Sequence, residues 1–505
     1  MAQFKQPDIT NIYWASNDGF KGGRDPMGIQ NSSVATYSTL LPGLTNLTGH
    51  IRYYSLYCWL LSEYDKLEKE NKVLIHQYNF IRRAELAMAI IMKDQGVKSV
   101  VGALFISQGR YKLTDDNLYN LANGGDYDSN DKYWTFKSGA FGQYYIGSLI
   151  YYDLVKIEEG RFYLRDKGKD LAVAVCESIG DDVRDLYVDC ILDGSLAEEE
   201  IEELLPLALN KLEIGSEEWK CLNQLLTMVD KDGSSLRRET ISLFLQDINN
   251  GISVDEFVRY RFIHVTENGN IEASFGWYFY FLCEALHYSI ESLLCLILSE
   301  IANLHNPPID ILSKVVQKKI IDNLKEEVEY KNLNEWRQCI TANIEEIYDE
   351  VKRNISEKNL AKAAALSIAL MLRLHYEYDK KEKEIRMFEQ KYKLSHQHGI
   401  FSEGVKIYVG NYISLSIPKY IETIVPQIMQ EHTITAIRKM ANNNADLRKF
   451  IFENGRAVLV EIRYPTETTP RINSLFNFLQ DLKYIDTNSQ LTNIAYEYLD
   501  NYGEK

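Results

Sequence analysis

The chain has 505 residues, of which 45% are hydrophobic and 25% charged, and its formal net charge is −16. These totals are typical of a globular protein with about two to four domains and exclude a disordered or fibrous chain. The acidic balance argues against a protein that coats nucleic acid, because phosphate contacts require clustered Lys and Arg, but it leaves a local basic patch open.

The seven cysteines and the first residues indicate the cellular compartment. No two cysteines form a C-x-x-C pair, so we expect reduced thiols rather than disulfides or a zinc site. The opening sequence MAQFKQPDIT lacks the basic and apolar regions of a secretion signal. We therefore expect a cytoplasmic protein. Since no phosphate-binding motif and no set of closely spaced Cys and His occurs, we also expect neither a metal ion nor another cofactor.

Residues 1–98 are predicted to form an N-terminal arm followed by a helical hub. Residues 1–30 are polar and rich in Gly and Asp, which favours a surface arm. Between Tyr53 and Tyr64 the apolar residues recur at i, i+3, i+4, i+7, i+8 and i+11, which is the spacing of one helix face. We expect this helix to organise the hub.

The aromatic run RYYSLYCW, Arg52–Trp59, has two interpretations. One is a ligand-binding aromatic box and the other is an ordinary buried helix, and the helical spacing of its apolar residues favours the second. Pro42 and Gly43 precede the run in LLPGLT, where they mark a break between two core helices.

Residues 99–180 are predicted to form a winged-helix-like domain. A helix leads into a hairpin with Gly160 in its turn, and a further helix follows Asp166. The hairpin and its exit carry a basic cluster that we expect to contact a DNA backbone without reading sequence. That cluster consists of Lys156, Arg161, Arg165, Lys167 and Lys169.

Residues 181–430 are predicted to form a long helical body. Its most apolar run, Phe275–Leu298, has the length of a membrane span but is interrupted by Glu284, His287 and Glu291. Charged carboxylates are unfavourable in the middle of a bilayer, so we expect a buried core helix and no membrane contact.

Residues 431–505 are predicted to form a second winged-helix-like domain, because a helix, a short hairpin around Asn488 and a final helix repeat the first outline. Its helix carries few basic residues beyond Arg471 and Lys483, which favours protein contact over DNA contact.

A search for catalytic motifs finds no phosphate-binding P-loop and no G-x-S-x-G elbow in the sequence. The histidine pair His396 and His398 has no cysteine nearby, so a polar loop is a better interpretation than a zinc site. The restriction-nuclease-like fragments VEIR, with Glu461 and Arg463, and EGVK lack a convincing paired Asp.

One catalytic alternative stays open. Helical RNases of the HEPN class use an Arg, a short spacer and a His on one helix, and RYRFIH contains Arg259 and His264 in such an order. This spacing arises easily by chance, and His264 lies in the run FIHV, which is typical of a strand or of core.

Three short motifs follow one another in the N-terminal region, D-P-M-G-I (Asp25–Ile29), L-L-P-G-L-T (Leu40–Thr45) and R-Y-Y-S-L-Y-C-W (Arg52–Trp59). In this order they resemble the N-terminal signature of an uncharacterised bacterial family found in anti-phage defence loci. The segment Glu431–Leu459 is similar to the C-terminal part of that family. The resemblance implies a defence context without supplying a catalytic residue, and any chemistry of the motifs would rest on Asp25 and Arg52.

The predicted layout of winged helix, helical middle and winged helix is also similar to kleisin-type accessory subunits that bridge SMC-like ABC ATPases, by fold-level analogy. The sequence therefore predicts a mainly α protein that serves as a non-enzymatic scaffold of a defence complex. Its expected partners are an ABC ATPase or nuclease subunit and, through the basic hairpin, double-stranded DNA. The rival hypothesis is a toxic HEPN-like RNase effector, and a transcriptional regulator is less favoured.

Overall fold

The computed structural model of the chain is mainly helical, which confirms the predicted fold class. Of the residues discussed above, His396, His398 and most of the N-terminal arm lie outside the part of the chain that the structure describes. The described residues are 25–72, 75–108, 112–229, 233–265, 271–324, 327–394, 400–443 and 446–502.

The α-helices vary from one turn to 32 residues in length. In chain order they are α1 (Gln30–Leu40), α2 (Arg52–Lys69), α3 (Gln77–Ile91), α4 (Ala103–Ser107), α5 (Leu121–Gly125), α6 (Ile146–Tyr151), α7 (Asp166–Ile179), α8 (Asp181–Asp193), α9 (Glu217–Thr227), α10 (Leu236–Asn249), α11 (Phe257–Ile263), α12 (Glu272–Asn303), α13 (Ile309–Asp322), α14 (Leu333–Cys339), α15 (Ile344–Ser356), α16 (Leu360–Lys391), α17 (Phe401–Tyr408), α18 (Ile417–Asn443), α19 (Ile472–Asp481) and α20 (Asn493–Tyr502).

The strands of the described residues are short and pair only as antiparallel two-stranded ribbons, β1 with β4, β2 with β3 and β5 with β6. They are β1 (Leu118–Tyr119), β2 (Val155–Glu158), β3 (Arg161–Leu164), β4 (Leu196–Ala197), β5 (Phe450–Glu453) and β6 (Arg456–Leu459). No ribbon is wide enough to form a core, so helix packing carries the fold of this part of the chain.

The chain divides into two compact units, and each is built from segments that are distant in sequence. The first unit contains Phe279–Thr468 and the described residues up to Thr36, and the second contains Tyr37–Tyr278 and the described residues from Thr469. These units differ from the four consecutive segments 1–98, 99–180, 181–430 and 431–505 predicted from sequence. Local patterning reveals elements but not which distant elements share a core.

Helix α2 lies in the core of the second unit. The predicted helical face is confirmed, but every residue from Arg52 to Leu61 is buried, not only one face. The ring of Tyr53 lies 5.1 Å from that of Tyr145, and the ring of Trp59 stacks on Tyr187 at 5.8 Å. The aromatic run is therefore core packing, as its spacing indicated.

The predicted hairpin around Gly160 is confirmed as β2 and β3, with Val155 opposite Leu164. Gly160 has φ +79°, a backbone conformation that favours glycine, and α7 begins at Asp166 as expected. Near the C-terminus, α19 and α20 flank a single bridge between Ile485 and Leu491. The order of elements around Gly160 is the predicted one, whereas the hairpin predicted around Asn488 is reduced to that single bridge, and a winged-helix assembly stays a prediction.

Helix α12 provides much of the core of the first unit. Among the described residues it is the helix with the length and hydropathy of a membrane span, and that apolar window is entirely buried inside the protein. The expected core helix is confirmed. Within the first unit its residues from Phe279 onward contact α15, α16 and α17, for example through the rings of Phe279 and Phe401 at 5.7 Å.

Candidate functional site

A group of one histidine and two glutamates lies in the buried part of α12. Glu284, His287 and Glu291 follow the spacing i, i+3 and i+7, which places them on one face of the helix. All three are buried, and the imidazole of His287 has no exposed surface. Burying charge among apolar neighbours is unfavourable unless the charge is paired, so this cluster requires a physical explanation.

The imidazole of His287 lies between the two carboxylates. Its Nδ1 is 3.6 Å from Glu284 Oε1 and its Nε2 is 3.7 Å from Glu291 Oε2. These distances are too long for hydrogen bonds, and neither ring nitrogen has a hydrogen-bond partner among the described residues. The attraction is therefore between charges rather than through directed hydrogen bonds.

Burial and the neighbouring charges have opposite effects on the pKa values of His287 and Glu284. Burial favours the neutral imidazole, but Glu284 and Glu291 together hold the pKa of His287 well above its ordinary value. Burial also favours a neutral Glu284, yet the His287 charge and the bonds from Thr468 lower the pKa of that carboxyl. The structure accordingly favours an imidazolium beside an ionised Glu284.

Thr468 fixes the position of Glu284. Its backbone N–H donates to Glu284 Oε1 at 2.7 Å and its hydroxyl donates to Oε2 at 2.6 Å. The hydroxyl of Tyr280 lies 2.8 Å from Thr468 Oγ1 and extends this network. The segment that follows β6 is therefore attached to the core helix through a buried carboxylate.

A second contact attaches the same segment to α15. Tyr348 donates its hydroxyl to Glu467 Oε1 at 2.9 Å, and Lys352 Nζ lies 3.0 Å from the same oxygen. Burial raises the pKa of Tyr348, so this phenol stays protonated as a donor. Neighbouring residues Glu467 and Thr468 thus connect two helices of the first unit.

The chemistry open to this cluster follows from its burial. A general acid or base must come within hydrogen-bond reach of a substrate, and the fully buried imidazole of His287 is shielded by the packed helices of the first unit. The arrangement is suited to holding elements together and to responding to pH. Among the described residues, no group of three His, Cys, Asp or Glu side chains is placed to bind a metal ion.

The structure brings together two of the segments that carry the family resemblance. Lys439 Nζ lies 3.2 Å from Asp25 Oδ2, and the hydroxyl of Thr435 donates to the Met27 carbonyl at 3.3 Å. Asp25, Pro26 and Met27 are buried rather than part of a surface arm, so that prediction is wrong for the described end of the arm. The burial of the apolar Met27 side chain and the ion pair between Asp25 and Lys439 of α18 hold this segment in the first unit, although its composition is polar.

His432 of α18 supports the same contact as a neutral bridge. Its Nδ1 donates to the Pro26 carbonyl at 2.9 Å, and its Nε2 accepts the Lys449 backbone N–H at 2.9 Å. Burial lowers the pKa of His432 to about 4, and the charges of Lys449 and Lys439 act in the same direction. A neutral imidazole is the form that both bonds require.

Arg52, the other residue of the resemblance with potential chemistry, is buried in the second unit. It forms a bidentate pair with Glu218, at 3.1 and 3.0 Å, and donates to the carbonyls of Pro206 and Ala208. Ser55 donates to the same carboxylate at 2.6 Å. Arg52 therefore joins α2 to α9 and to the loop before it.

The turn in LLPGLT also has a structural role. Gly43 has φ +81°, and a Cβ there would lie 2.6 Å from the ring of Tyr151 and 2.7 Å from that of Tyr152. Arg237 donates to the Pro42 carbonyl at 2.8 Å and Arg471 to the Leu41 carbonyl at 3.0 Å. The predicted break between two helices is confirmed, and two arginines hold it.

The predicted DNA-contacting cations of the β2–β3 hairpin are mostly paired with carboxylates. Among the described residues, Lys167 is the member of the cluster without an ion pair. The pairs are Lys156–Glu158 (2.8 Å), Arg161–Glu68 (2.8 Å), Arg165–Asp153 (3.0 Å) and Lys169–Asp166 (2.9 Å). This neutralisation weakens the local positive potential, and DNA contact stays a prediction.

The pair named by the RNase hypothesis lies at the end of α11. His264 directly follows the helix, so its segment is helical rather than a strand. Its Nδ1 lies 2.9 Å from the Tyr260 carbonyl, and its ring stacks on Tyr260 at 4.0 Å. Residues five apart on a helix point about 140° apart, so the local geometry does not direct Arg259 and His264 to one point.

The polar cluster on α12 was visible in the sequence, because its three ionisable residues interrupt the most apolar run at helical spacing. Its partner Thr468 was not, since nothing local links it to a helix so distant in sequence. No family model, curated protein or solved structure matches the chain. Its function is therefore inferred from its own residues and their geometry.

Proposed function

We propose that the chain is a non-enzymatic scaffold subunit of a bacterial anti-phage defence complex that holds an SMC-like ABC ATPase or a nuclease subunit. The defence context comes from the resemblance of Asp25–Ile29, Leu40–Thr45 and Arg52–Trp59 to a family of such loci. Support for a scaffold comes from the way the buried charges are used.

The carrying observation is that three buried charged side chains, Arg52, Arg261 and Glu85, are paired with or hydrogen-bonded to other groups of the chain itself. Arg52 is paired with Glu218 and two carbonyls, and Arg261 is paired with Asp247. Glu85 accepts bonds from the Tyr57 hydroxyl at 2.7 Å and from the Phe141 N–H at 2.6 Å, among others. Catalytic groups need access to a substrate, whereas these groups connect helices.

A surface for a partner subunit is offered by α13, α18 and β5 of the first unit. A groove of about 260 Å³ is lined almost wholly by apolar groups, including Ile309, Met429 and Phe452. Ile434 and Ile437 of α18 are 40% and 56% exposed beside it. Exposed apolar clusters of this kind are typical of protein contact sites, and we assign the groove to the ATPase or nuclease subunit.

Contact with duplex DNA through the β2–β3 hairpin is a weaker part of the proposal. Lys167 has no ion pair with a carboxylate of the described residues. The cations beside it must first break their ion pairs before they bind phosphate, which makes their contribution to DNA binding small. We expect weak, sequence-independent binding that salt removes.

The test against the RNase alternative is overexpression in a bacterial host with tRNA integrity as the measurement. The scaffold proposal predicts intact tRNA and equal growth for the wild-type chain and His264→Ala. Cleaved tRNA in the wild type, with intact tRNA in an equally expressed and folded His264→Ala variant, would contradict it.

A further inference from the structure

A polar cavity lies in the first unit where three helices meet. Its volume is about 510 Å³, within the usual range for sites that bind small molecules. The walls come from the end of α12, the end of α13 and the start of α16. The polar residues that concern us are Glu300, Asn303, Lys319, Asn323, Lys358 and Lys362.

Two lysines supply unpaired positive charge to one side of this cavity. Lys358 and Lys362 are exposed, and neither ammonium group has an ion pair with any carboxylate of the described residues. The third lysine, Lys319, is bound to Glu300 at 2.7 Å. On a chain with net charge −16, this side of the cavity is suited to an anion.

Glu300 contributes a carboxylate to the same cavity. It is 3% exposed, and its Oε1 accepts from Lys319 Nζ at 2.7 Å and from Asn303 Nδ2 at 3.0 Å. Its Oε2 has no hydrogen-bond partner among the described residues, although Glu300 lines the cavity. That oxygen is accessible from the cavity, where it is able to accept a hydrogen bond from a ligand.

The first turn of α16 reinforces the anionic side. Asn359 precedes the helix without capping it through its side chain, so the first backbone N–H groups of this 32-residue helix lack an acceptor within it. Leu360, Ala361 and Lys362 of that turn line the cavity. Free N–H groups and the helix dipole favour negative charge at such a position.

We propose that this cavity binds a small phosphate ester that carries hydroxyl groups, the chemistry shared by sugar phosphates and nucleotides. The phosphate lies between Lys358, Lys362 and the start of α16, and a sugar hydroxyl donates to Glu300 Oε2. Carboxylates commonly recognise sugar hydroxyls in this way. The site shares no lining residue with the proposed partner groove, and it makes the scaffold responsive to a small molecule.

The test is isothermal titration calorimetry on the full chain with three probes: inorganic pyrophosphate, ribose 5-phosphate and AMP. Lys358→Ala/Lys362→Ala removes two cavity charges, and Lys314→Ala/Lys318→Ala removes two exposed charges of α13 that do not line the cavity. We expect saturable 1:1 binding that the first variant weakens at least about tenfold and the second less than about twofold. Tighter binding of AMP than of ribose 5-phosphate identifies a nucleotide, and equal binding identifies a sugar phosphate.

Glu300→Gln tests the hydroxyl contact, because it presents an amide donor in place of Oε2. We expect it to weaken the binding of ribose 5-phosphate about tenfold without weakening that of pyrophosphate, because Lys319 loses its carboxylate partner; unfolding transitions confirm folding. The proposal is overturned if no probe binds saturably, if both double variants weaken binding equally, or if Glu300→Gln leaves ribose 5-phosphate unaffected.

Discussion

Thr468 donates both its backbone N–H and its hydroxyl to the buried carboxylate of Glu284, at 2.7 and 2.6 Å. The same carboxylate lies 3.6 Å from the imidazole of His287. A segment at the C-terminal end of the first unit is therefore attached to its core helix by a carboxylate that its surroundings keep charged.

Glu284→Gln should lower the free energy of unfolding of the chain by about 3 kcal/mol, because it leaves the buried imidazolium with one carboxylate. Thr468→Val, which removes the hydroxyl that contacts Glu284 and Tyr280 but keeps the backbone donor, should lower it by about 1 kcal/mol. The exposed Glu403→Gln in the same unit is the matched control and should change it by less than about 0.5 kcal/mol. Urea unfolding followed by far-UV circular dichroism measures all three, and equal effects of Glu284→Gln and Glu403→Gln would refute a charged cluster.

The raised pKa of His287 makes the stability of the first unit depend on pH. Because the folded pKa lies well above the ordinary 6.5, the stabilisation is complete below about pH 6.5 and is lost as the pH rises toward the folded value. In that window the folded state holds a proton that the unfolded state has released, so the free energy of unfolding falls by about 1.4 kcal/mol per pH unit. The lowered pKa of Glu284 acts oppositely: its stabilisation is present above about 4.5 and is lost as the pH falls through the folded value.

Urea unfolding across this pH range should show the decline above pH 6.5 in the wild type and a smaller one in His287→Leu. Glu291→Gln removes one of the two carboxylates that raise the pKa of His287, so the decline should still begin near pH 6.5 but end at a lower pH, with a smaller total loss of stability. An identical pH dependence in all three proteins would contradict the assignment of the titrating group.

Alanine substitutions at Gly43 and Gly251 distinguish the effect of backbone strain from that of close packing. Their φ angles are +81° and +82°, but a Cβ at Gly43 would meet the rings of Tyr151 and Tyr152. A Cβ at Gly251 would have no atom of the described residues within 4 Å apart from those of its own chain neighbours. Gly251→Ala should reduce the free energy of unfolding by about 1 kcal/mol, which is the backbone term alone. Gly43→Ala should reduce it by about 2 kcal/mol more, because the buried ring of Tyr152 and the half-buried ring of Tyr151 must shift. Equal losses in thermal or urea unfolding would show that the turn in LLPGLT is not closely packed.

Charge reversal in the β2–β3 hairpin tests the predicted DNA contact. Lys167→Glu should weaken duplex binding more than Arg161→Glu, because Arg161 is already paired with Glu68 at 2.8 Å. Fluorescence anisotropy with a labelled duplex at low and moderate salt gives both the affinity and its salt dependence. The exposed Lys211→Glu in the same unit controls for net charge. DNA binding that survives reversal of Arg161, Arg165 and Lys167 together would show that the hairpin is not the contact.

The sequence predicted those features of the fold that local patterning determines. Apolar spacing predicted α2, Gly160 predicted the hairpin turn, and the run Phe275–Leu298 predicted the buried α12. The sequence did not predict which segments make up each of the two units, because that depends on which distant segments share a core. The N-terminal arm shows the same limit, since Asp25 and Met27 are buried by contacts to α18 that no local pattern encodes.

The candidate site was predictable only in part. Glu284, His287 and Glu291 were recognised as unsuited to a bilayer, and their spacing already placed them on one helix face. Their ionised state depends on Thr468 and on burial by other helices, which are three-dimensional facts. The carboxylate partners of Arg161 and Arg165 likewise became visible only in the structure.

The scaffold proposal is tested most directly by the mass of the complex that the tagged chain forms when it is expressed with the genes that flank it. Native mass spectrometry should show a stoichiometric assembly with the ABC ATPase or nuclease subunit. Ile434→Asp/Phe452→Asp should abolish it, whereas Met387→Asp, at a residue 59% exposed elsewhere in the same unit, should not. Two results would contradict the account. One is that the chain forms no complex although an ABC ATPase or nuclease subunit is expressed with it, and the other is that Ile434→Asp/Phe452→Asp leaves the complex intact.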